Sequence, residues 1–240
     1  MSEDLRHLCA PTEFMDHESP VVRDFVAKTL DGAERIPVPD AADLHHAVKL
    51  YYAVRDGLRY EVYGNDLSRA GMKASAIIER GFGFCIQKSL TYAACLRAVG
   101  IPSRVVYGDV RNHLASPRLR ELVGGDLFRF HSLTEVYLNG RWLKATPVFN
   151  KMLCMLYRIK PLDFDGTADA VYHPFDEQGR QHMEFLRWHG AFDDFPYDLV
   201  IGAFQTHHPK LVAENLVTAS GSLEDESADQ RALLATGGVK

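Results

Sequence analysis

Asn139-Gly140 lies between two alternating runs, His131 to Leu138 and Arg141 to Pro147. An Asn-Gly pair accepts positive φ at both central positions. The resulting two-residue turn matches the twist of paired antiparallel strands. The dipeptide therefore commits the chain to an antiparallel hairpin and fixes its register. Leu138 faces Arg141, Glu135 faces Lys144 as a cross-strand ion pair, and by extension His131 faces Val148. Residues directly opposite share a face, as do positions two away. Thr146, Val148 and Asn150 are thus expected on the face that carries His131.

Helical segments precede this hairpin. Residues 21–30 read as a short amphipathic helix stopped by Asp31-Gly32. Pro37-Val38-Pro39-Asp40 is a linker, with Asp40 placed to cap a helix running to Asp56. Leu44, Ala47, Val48, Tyr51 and Val54 form its apolar face, and Gly57 follows its end. Residues 58–63 alternate like a strand, 73–80 read as a helix, and Cys85 opens another that continues to Val99 before Gly100 and Pro102. Ser103 to Tyr107 is strand-like, 111–130 reads as a mixed connection, and 148–200 as an irregular aromatic-rich wrap with His182-Met183-Glu184 in a helix. One domain is expected over 1–217, with its motif core at about 40–150 and the wrap at about 151–217. Ser, Gly, Ala and acidic residues dominate 218–240, which reads as a flexible tail. Helices packed on an antiparallel sheet make the expected class α+β.

With 46% apolar residues the 240-residue chain can bury a full core. A net charge of −5 gives no basic field for nucleic acid. No run approaches a membrane span, and the polar N-terminus lacks a secretory signal, so a cytoplasmic protein with reduced thiols is expected. The eleven histidines lack metal-ligand spacing, and no phosphate or dinucleotide loop is present, so neither metal nor cofactor is expected.

The chemistry points to Cys85. Gly81-Phe82-Gly83-Phe84 feeds this cysteine into a helix N-terminus, where unpaired N–H groups and the helix dipole favour a thiolate. An apparent pKa below the ordinary thiol value is expected, with faster alkylation than Cys9, Cys95 or Cys154. His131, at a strand start, supplies the proton-transfer partner. Asn112 and His113, which follow the 103–107 strand, are candidates to line the cleft, with Asn112 as a substrate or oxyanion contact; the bland alternative is that they cap a turn. Taken alone, a cysteine at a helix start is more often a small buried hydrophobe, and His131 an ordinary strand-end histidine. Their combination is what carries the chemical reading.

These residues resemble the transglutaminase-like superfamily, which has the papain-like fold. The shared motifs are the glycine-preceded Cys85, Gly100-Ile101-Pro102-Ser103-Arg104-Val105, His131 with Glu135-Val136-Tyr137, and Trp142 after the turn. Val110-Arg111-Asn112-His113-Leu114 and Lys144-Ala145-Thr146-Pro147 are similar to a bacterial subgroup. The resemblance implies Cys85 as nucleophile and His131 as its base, on a helix packed against an antiparallel sheet. It also implies Tyr63 as an aromatic wall or oxyanion donor beside the Cys85 N–H, with Gln87 as another candidate donor.

One position departs from the pattern. The superfamily places an aspartate four residues after the tryptophan to orient the histidine, and Thr146 stands there. Thr146, the amide oxygen of Asn150, or Asp165 folding back from the later segment are the alternatives. The implied function is acyl chemistry on a peptide, protein or small amide through a Cys85 acyl-enzyme, with hydrolysis favoured over transamidation. Against it stand an inactive peptide-binding module and a structural partner-binding protein on the same fold.

Overall fold

The computed structural model describes residues 3–31, 39–113, 115–172, 178–216 and 222–223. Part of the expected linker, Pro37-Val38, and most of the expected tail lie outside the described residues, as do the side chains of Pro39 and Asp40. A short 3-10 helix, Glu3–Cys9, begins the chain where no regular element was expected. Two helices follow, α1 (Pro20–Leu30) and α2 (Pro39–Gly57). Next come β1 (Arg59–Tyr60), α3 (Ala74–Arg80) and β2 (Phe82–Gly83), with β1 and β2 forming a two-stranded parallel pair. The central helix α4 is Cys85–Ala98. Then come β3 (Ser103–Asn112), α5 (Pro117–Val123), β4 (Leu127–Leu138) and β5 (Arg141–Ala145). The chain continues through α6 (Lys151–Tyr157), β6 (Met183–Phe192), α7 (Tyr197–His207) and α8 (Pro209–Leu216).

The main sheet has the order β5-β4-β3-β6, all antiparallel. The fold is α+β, with α4 packed on β4. Every residue of α4 from Cys85 to Arg97 is buried, so the helix is enclosed on all sides. Apart from the Ser89 hydroxyl, which has no hydrogen-bond partner among the described residues, its polar side chains reach backbone carbonyls. Lys88 Nζ donates to the carbonyls of Arg55 and Leu58 at 2.8 and 2.6 Å, closing the C-terminal end of α2. Thr91 bonds back to the Gln87 carbonyl, and Arg97 reaches the carbonyls of Ala10, Ser103 and Asp193. From β4, Thr134 Oγ1 donates to the Ser89 carbonyl at 2.9 Å, locking helix to sheet.

The hairpin forms in the expected register, from Leu138 with Arg141 to Thr134 with Ala145. Asn139 and Gly140 have φ of 50° and 80°, as the two-residue turn requires. Glu135 Oε1 lies 3.3 Å from Lys144 Nζ, while its other oxygen takes Arg104 Nε at 2.7 Å. The extension of this register fails beyond Ala145. The next ladder pair would need an N–H from residue 147, which is proline. Ala145 bridges Ala170 instead, and Tyr51 of α2 donates to the Thr146 carbonyl at 3.1 Å. Val148 and Asn150 consequently do not face β4 as strand residues.

The 148–200 segment is not an irregular wrap. It supplies α6 and the whole edge strand β6, which pairs with β3. His182, Met183 and Glu184 thus begin a strand, not a helix. Two register shifts against β3 break the alternation that would have marked β6 in sequence.

Candidate active site

The site is assembled where β5 leaves the sheet. Gly81-Phe82-Gly83 delivers the chain to Cys85, the first residue of α4. A Cβ at Gly83 would stand 2.8 Å from the Gln87 side chain, so only glycine admits Gln87 there. Gln87 Oε1 accepts the Phe84 N–H at 3.2 Å, and its Nε2 donates to the Asp66 carbonyl at 3.4 Å. Gln87 therefore fixes the helix start and does not line the cavity that holds the thiol.

The backbone N–H groups of Ser132, Ile86 and Cys85 itself lie close enough to the Cys85 thiol to favour its thiolate. Ladder parity explains the first of these. The Tyr137 N–H donates to the Pro102 carbonyl beside β3, so the N–H of Ser132 turns to the opposite side, which β5 has vacated. The proline that ends the hairpin thereby frees a donor for the thiol. His131, the neighbouring residue, shares with Cys85 a cavity of about 770 Å³. Tyr60, Asn112, Phe149, Cys154 and His182 also line it.

The electrostatics differ from the sequence expectation of an acidified thiol. Burial pushes Cys85 up to about 11, outweighing the backbone N–H groups that pull it down. Burial, reinforced by His182, pushes His131 down to about 4. Both groups are uncharged at neutral pH. The lowered pKa expected of a helix-start thiol fails because enclosure costs the thiolate more than the exposed amides return.

The remaining sequence candidates separate clearly. Thr146 is buried, and its Oγ1 has no hydrogen-bond partner among the described residues; it lines a small adjoining cavity together with His131, Val148 and His182. Asn150 Oδ1 accepts the Tyr60 N–H at 3.1 Å, tying the start of α6 to β1. Asp165 is exposed and bonds Thr167 within its own turn, by N–H at 2.8 Å and hydroxyl at 2.7 Å. Tyr63 is buried under the Arg118 guanidinium, 4.7 Å from its ring centroid, and does not line the cavity. Tyr60 lines the cavity in its place and packs edge-on against Phe149 at 4.8 Å. The alternating 58–63 run left open which of its aromatics faces the thiol.

Asp109 of β3 was missed entirely by sequence reasoning. This buried carboxylate takes Arg129 Nη1 at 2.5 Å, His189 Nε2 at 2.7 Å and the Phe130 N–H at 3.3 Å. Burial would raise its pKa, but these partners hold it below the usual carboxylate value. Phe130 has φ of 54°, a left-handed conformation rare for a bulky residue, and stacks on His189 at 4.2 Å. The β3–β4 register shifts at this point. Asp109 therefore clamps the bulge immediately before His131. On the neighbouring strand, a Cβ at Gly108 would meet the Arg187 carbonyl and the Phe185 ring at 3.0 Å. Phe185 can thus lie edge-on to His131, with ring centroids 5.9 Å apart.

Among the described residues, no cluster of three metal-ligating side chains occurs, and no helix is long and apolar enough to cross a membrane. All four cysteines are free thiols.

Residues 32–147 match the family model described as the transglutaminase-like superfamily. No curated protein sequence matches the chain. Among solved structures, a candidate cysteine protease from Cytophaga hutchinsonii is similar at 16% identity and TM-score 0.44, over 61% of this chain and 43% of that one. An arylamine N-acetyltransferase from Mycobacterium abscessus is similar at 14% identity and TM-score 0.39, over 58% and 46%. Red sea bream transglutaminase is similar at 14% identity and TM-score 0.40, over 55% and 27%. The chain spans less than half the length of each. Over residues 32–147, just under half of its length, the chain is similar to the transglutaminase-like superfamily.

Proposed function

We propose that the protein is a cysteine-dependent enzyme that cleaves an amide or peptide bond through a Cys85 acyl-enzyme. The observation that carries this reading is the Cys85 thiol at the start of a buried helix, sharing a cavity with His131. A resting pair that is uncharged requires proton transfer during attack. The thiol proton passes to His131 as sulfur bonds the substrate carbonyl carbon, giving a tetrahedral oxyanion. The Cys85 backbone N–H and the Tyr60 hydroxyl are the donors proposed for that oxyanion. Tyr60 remains protonated, because burial raises its pKa well above normal. His131 then gives the proton to the leaving amine as the C–N bond breaks. Water, deprotonated by His131, attacks the thioester; the acid leaves and the thiol is restored.

Thr146 is the proposed positioning residue for His131. Its hydroxyl, unpartnered among the described residues, lies in the small cavity that the imidazole lines, whereas Asn150 is spent on Tyr60 and Asp165 on Thr167. The preference for water over an amine acceptor follows the resemblance to bacterial members. The substrate class is a peptide, protein or small amide, and the setting proposed is cytoplasmic. One specific observation favours the rival reading, a peptide-binding module without turnover: an uncharged Thr146 replaces the orienting aspartate.

Acyl trapping with a library of peptide and small-amide electrophiles, read by mass spectrometry, tests the proposal. A covalent adduct confined to Cys85, absent in Cys85→Ser and sharply reduced in His131→Ala, is expected. Equal modification of all four thiols, or none on Cys85, overturns the enzyme reading.

A further inference from the structure

The cavity at Cys85, about 770 Å³, is far larger than an amide group and exceeds the voids of a close-packed interior. Its wall divides at the thiol. On one side, next to α6, Phe149 packs edge-on against Tyr60 at 4.8 Å and stacks on His182 with ring centroids 6.1 Å apart. His131 belongs to this side, because the small adjoining cavity joins it to Phe149, Cys154 and Ile159. Asn112 and His113 stand there too: Asn112 pairs with Met183 of β6, and the His113 N–H donates to the His182 carbonyl at 2.9 Å. On the other side Phe84, the residue before Cys85, packs against Phe204 of α7 with ring centroids 6.3 Å apart. From there the wall runs through Leu119 and Val123 of α5, Leu211 of α8 and Phe128 of β4.

The polar residues set among these apolar ones, His208 and Arg129, are already committed. The Arg129 N–H donates to His208 Nε2 at 3.0 Å, so the ring proton sits on Nδ1, which donates to the Val123 carbonyl at 2.7 Å. Both ring nitrogens are used, and burial keeps the ring uncharged. The Arg129 guanidinium lies on Asp109. A peptide laid along this wall would bury its main-chain N–H and C=O groups without partners, whereas a hydrocarbon chain brings none. We propose that this side of the cavity takes the hydrocarbon tail of a fatty acyl group, making the substrate a fatty acyl amide with its carbonyl at Cys85. His131 assigns the direction: the leaving amine must reach the imidazole that protonates it, which leaves the opposite side of the thiol for the acyl chain. The proposal rests on the acyl-enzyme reading. The thioester C–S bond forms, the amide C–N bond breaks, and the amine departs with the proton held by His131. Water then releases the fatty acid and restores the thiol.

Binding is measured apart from turnover, on the full chain carrying Cys85→Ala, by calorimetric titration with acetyl-, butyryl-, octanoyl- and dodecanoylglycine. Affinity is expected to rise about threefold for each added methylene until the wall is filled. Acetyl-Ala-Ala-glycine, similar in length to octanoylglycine, is expected to bind no more tightly than acetylglycine. Val123→Phe, added to that chain, grows into the cavity; it is expected to weaken octanoylglycine by about tenfold or more and to leave butyrylglycine unchanged. Leu211→Phe takes its place if Val123→Phe fails to fold. The unaltered chain is then treated with p-nitrophenyl esters of the same acids. Intact-mass analysis is expected to show octanoylation confined to Cys85, about tenfold or more faster than acetylation. Affinity that ignores chain length, or a folded wall variant that binds octanoylglycine as before, overturns the proposal. So does length-dependent binding with equal rates of octanoylation and acetylation, which would put the hydrocarbon on the amine side. Length-dependent binding with no adduct on Cys85 keeps the hydrocarbon site and removes the acyl-enzyme reading. Adducts on Cys85 with length-independent binding do the reverse.

Discussion

Thr146 stands where the pattern that this chain resembles has an aspartate. Thr146 can orient a neutral imidazole, but it brings no charge to stabilise imidazolium. That agrees with His131 being pushed down to about 4 by burial and by His182. Thr146→Asp is therefore expected to raise the His131 pKa, read by NMR titration of the ring protons, and to speed Cys85 alkylation at neutral pH. Thr146→Val keeps the shape without the hydroxyl. It is expected to leave the titration nearly unchanged while cutting acyl trapping by roughly tenfold or more. Asn150→Ala removes the acceptor of the Tyr60 N–H. Its expected signature is a loss of stability, about 1–3 kcal/mol by denaturant titration. If Asn150→Ala instead abolishes trapping with no change in stability, the positioning role passes to Asn150.

Two elements hold the site, and they differ in how far the sequence revealed them. Helix α4 was readable because its glycine-rich approach, its length and its closing Gly100 are local signals. The hairpin was readable as far as Ala145, since turn geometry sets register locally. Its end carried a local signal as well, Pro147, which cannot donate to the ladder, but the path beyond it depends on distant partners: Tyr51 takes the Thr146 carbonyl and Ala170 bridges Ala145. The bulge before His131 was invisible for the same reason. Asp109, Arg129 and His189 converge from three strands, and no local pattern joins them. The bulge predicts its own rescue. Asp109→Ala removes the acceptor holding the Phe130 N–H and is expected to misplace His131, lowering acyl trapping and shifting the His131 ring resonances. Adding Phe130→Gly, which adopts φ of 54° without strain, is expected to restore a good part of both. A double variant no better than Asp109→Ala would place the defect in lost packing rather than in the bulge.

Across the molecule, the buried titratable groups set a stability profile with a defined sign. His131 falls to about 4 on folding, below its ordinary 6.5. The unfolded chain therefore binds more protons there, and stability is lost as pH drops from 6.5 toward 4. Lys88, enclosed in α4 against the end of α2, is pushed down to about 7 by burial from 10.5. Its contribution grows as pH rises from about 7 toward 10.5. The thiols act oppositely. Burial raises Cys85 and Cys154 to about 11 from 9.0, so their contribution is complete below 9 and disappears as pH climbs toward 11. Below about pH 9 only the basic groups change, and stability rises; above it the continuing gain at Lys88 is opposed by the loss at the two thiols. Melting temperature measured from pH 5 to 11 is expected to peak on the alkaline side of neutrality, not near the isoelectric point of about 6.1. Lys88→Met tests the assignment. It removes the group that gains from rising pH and leaves an apolar side chain in its place. The climb between pH 7 and 9 should flatten, while the acid limb set by His131 and the alkaline fall set by the thiols remain. A Lys88→Met protein that keeps the full climb would show that another group supplies it, and that Lys88 is already charged against the carbonyls of Arg55 and Leu58 throughout.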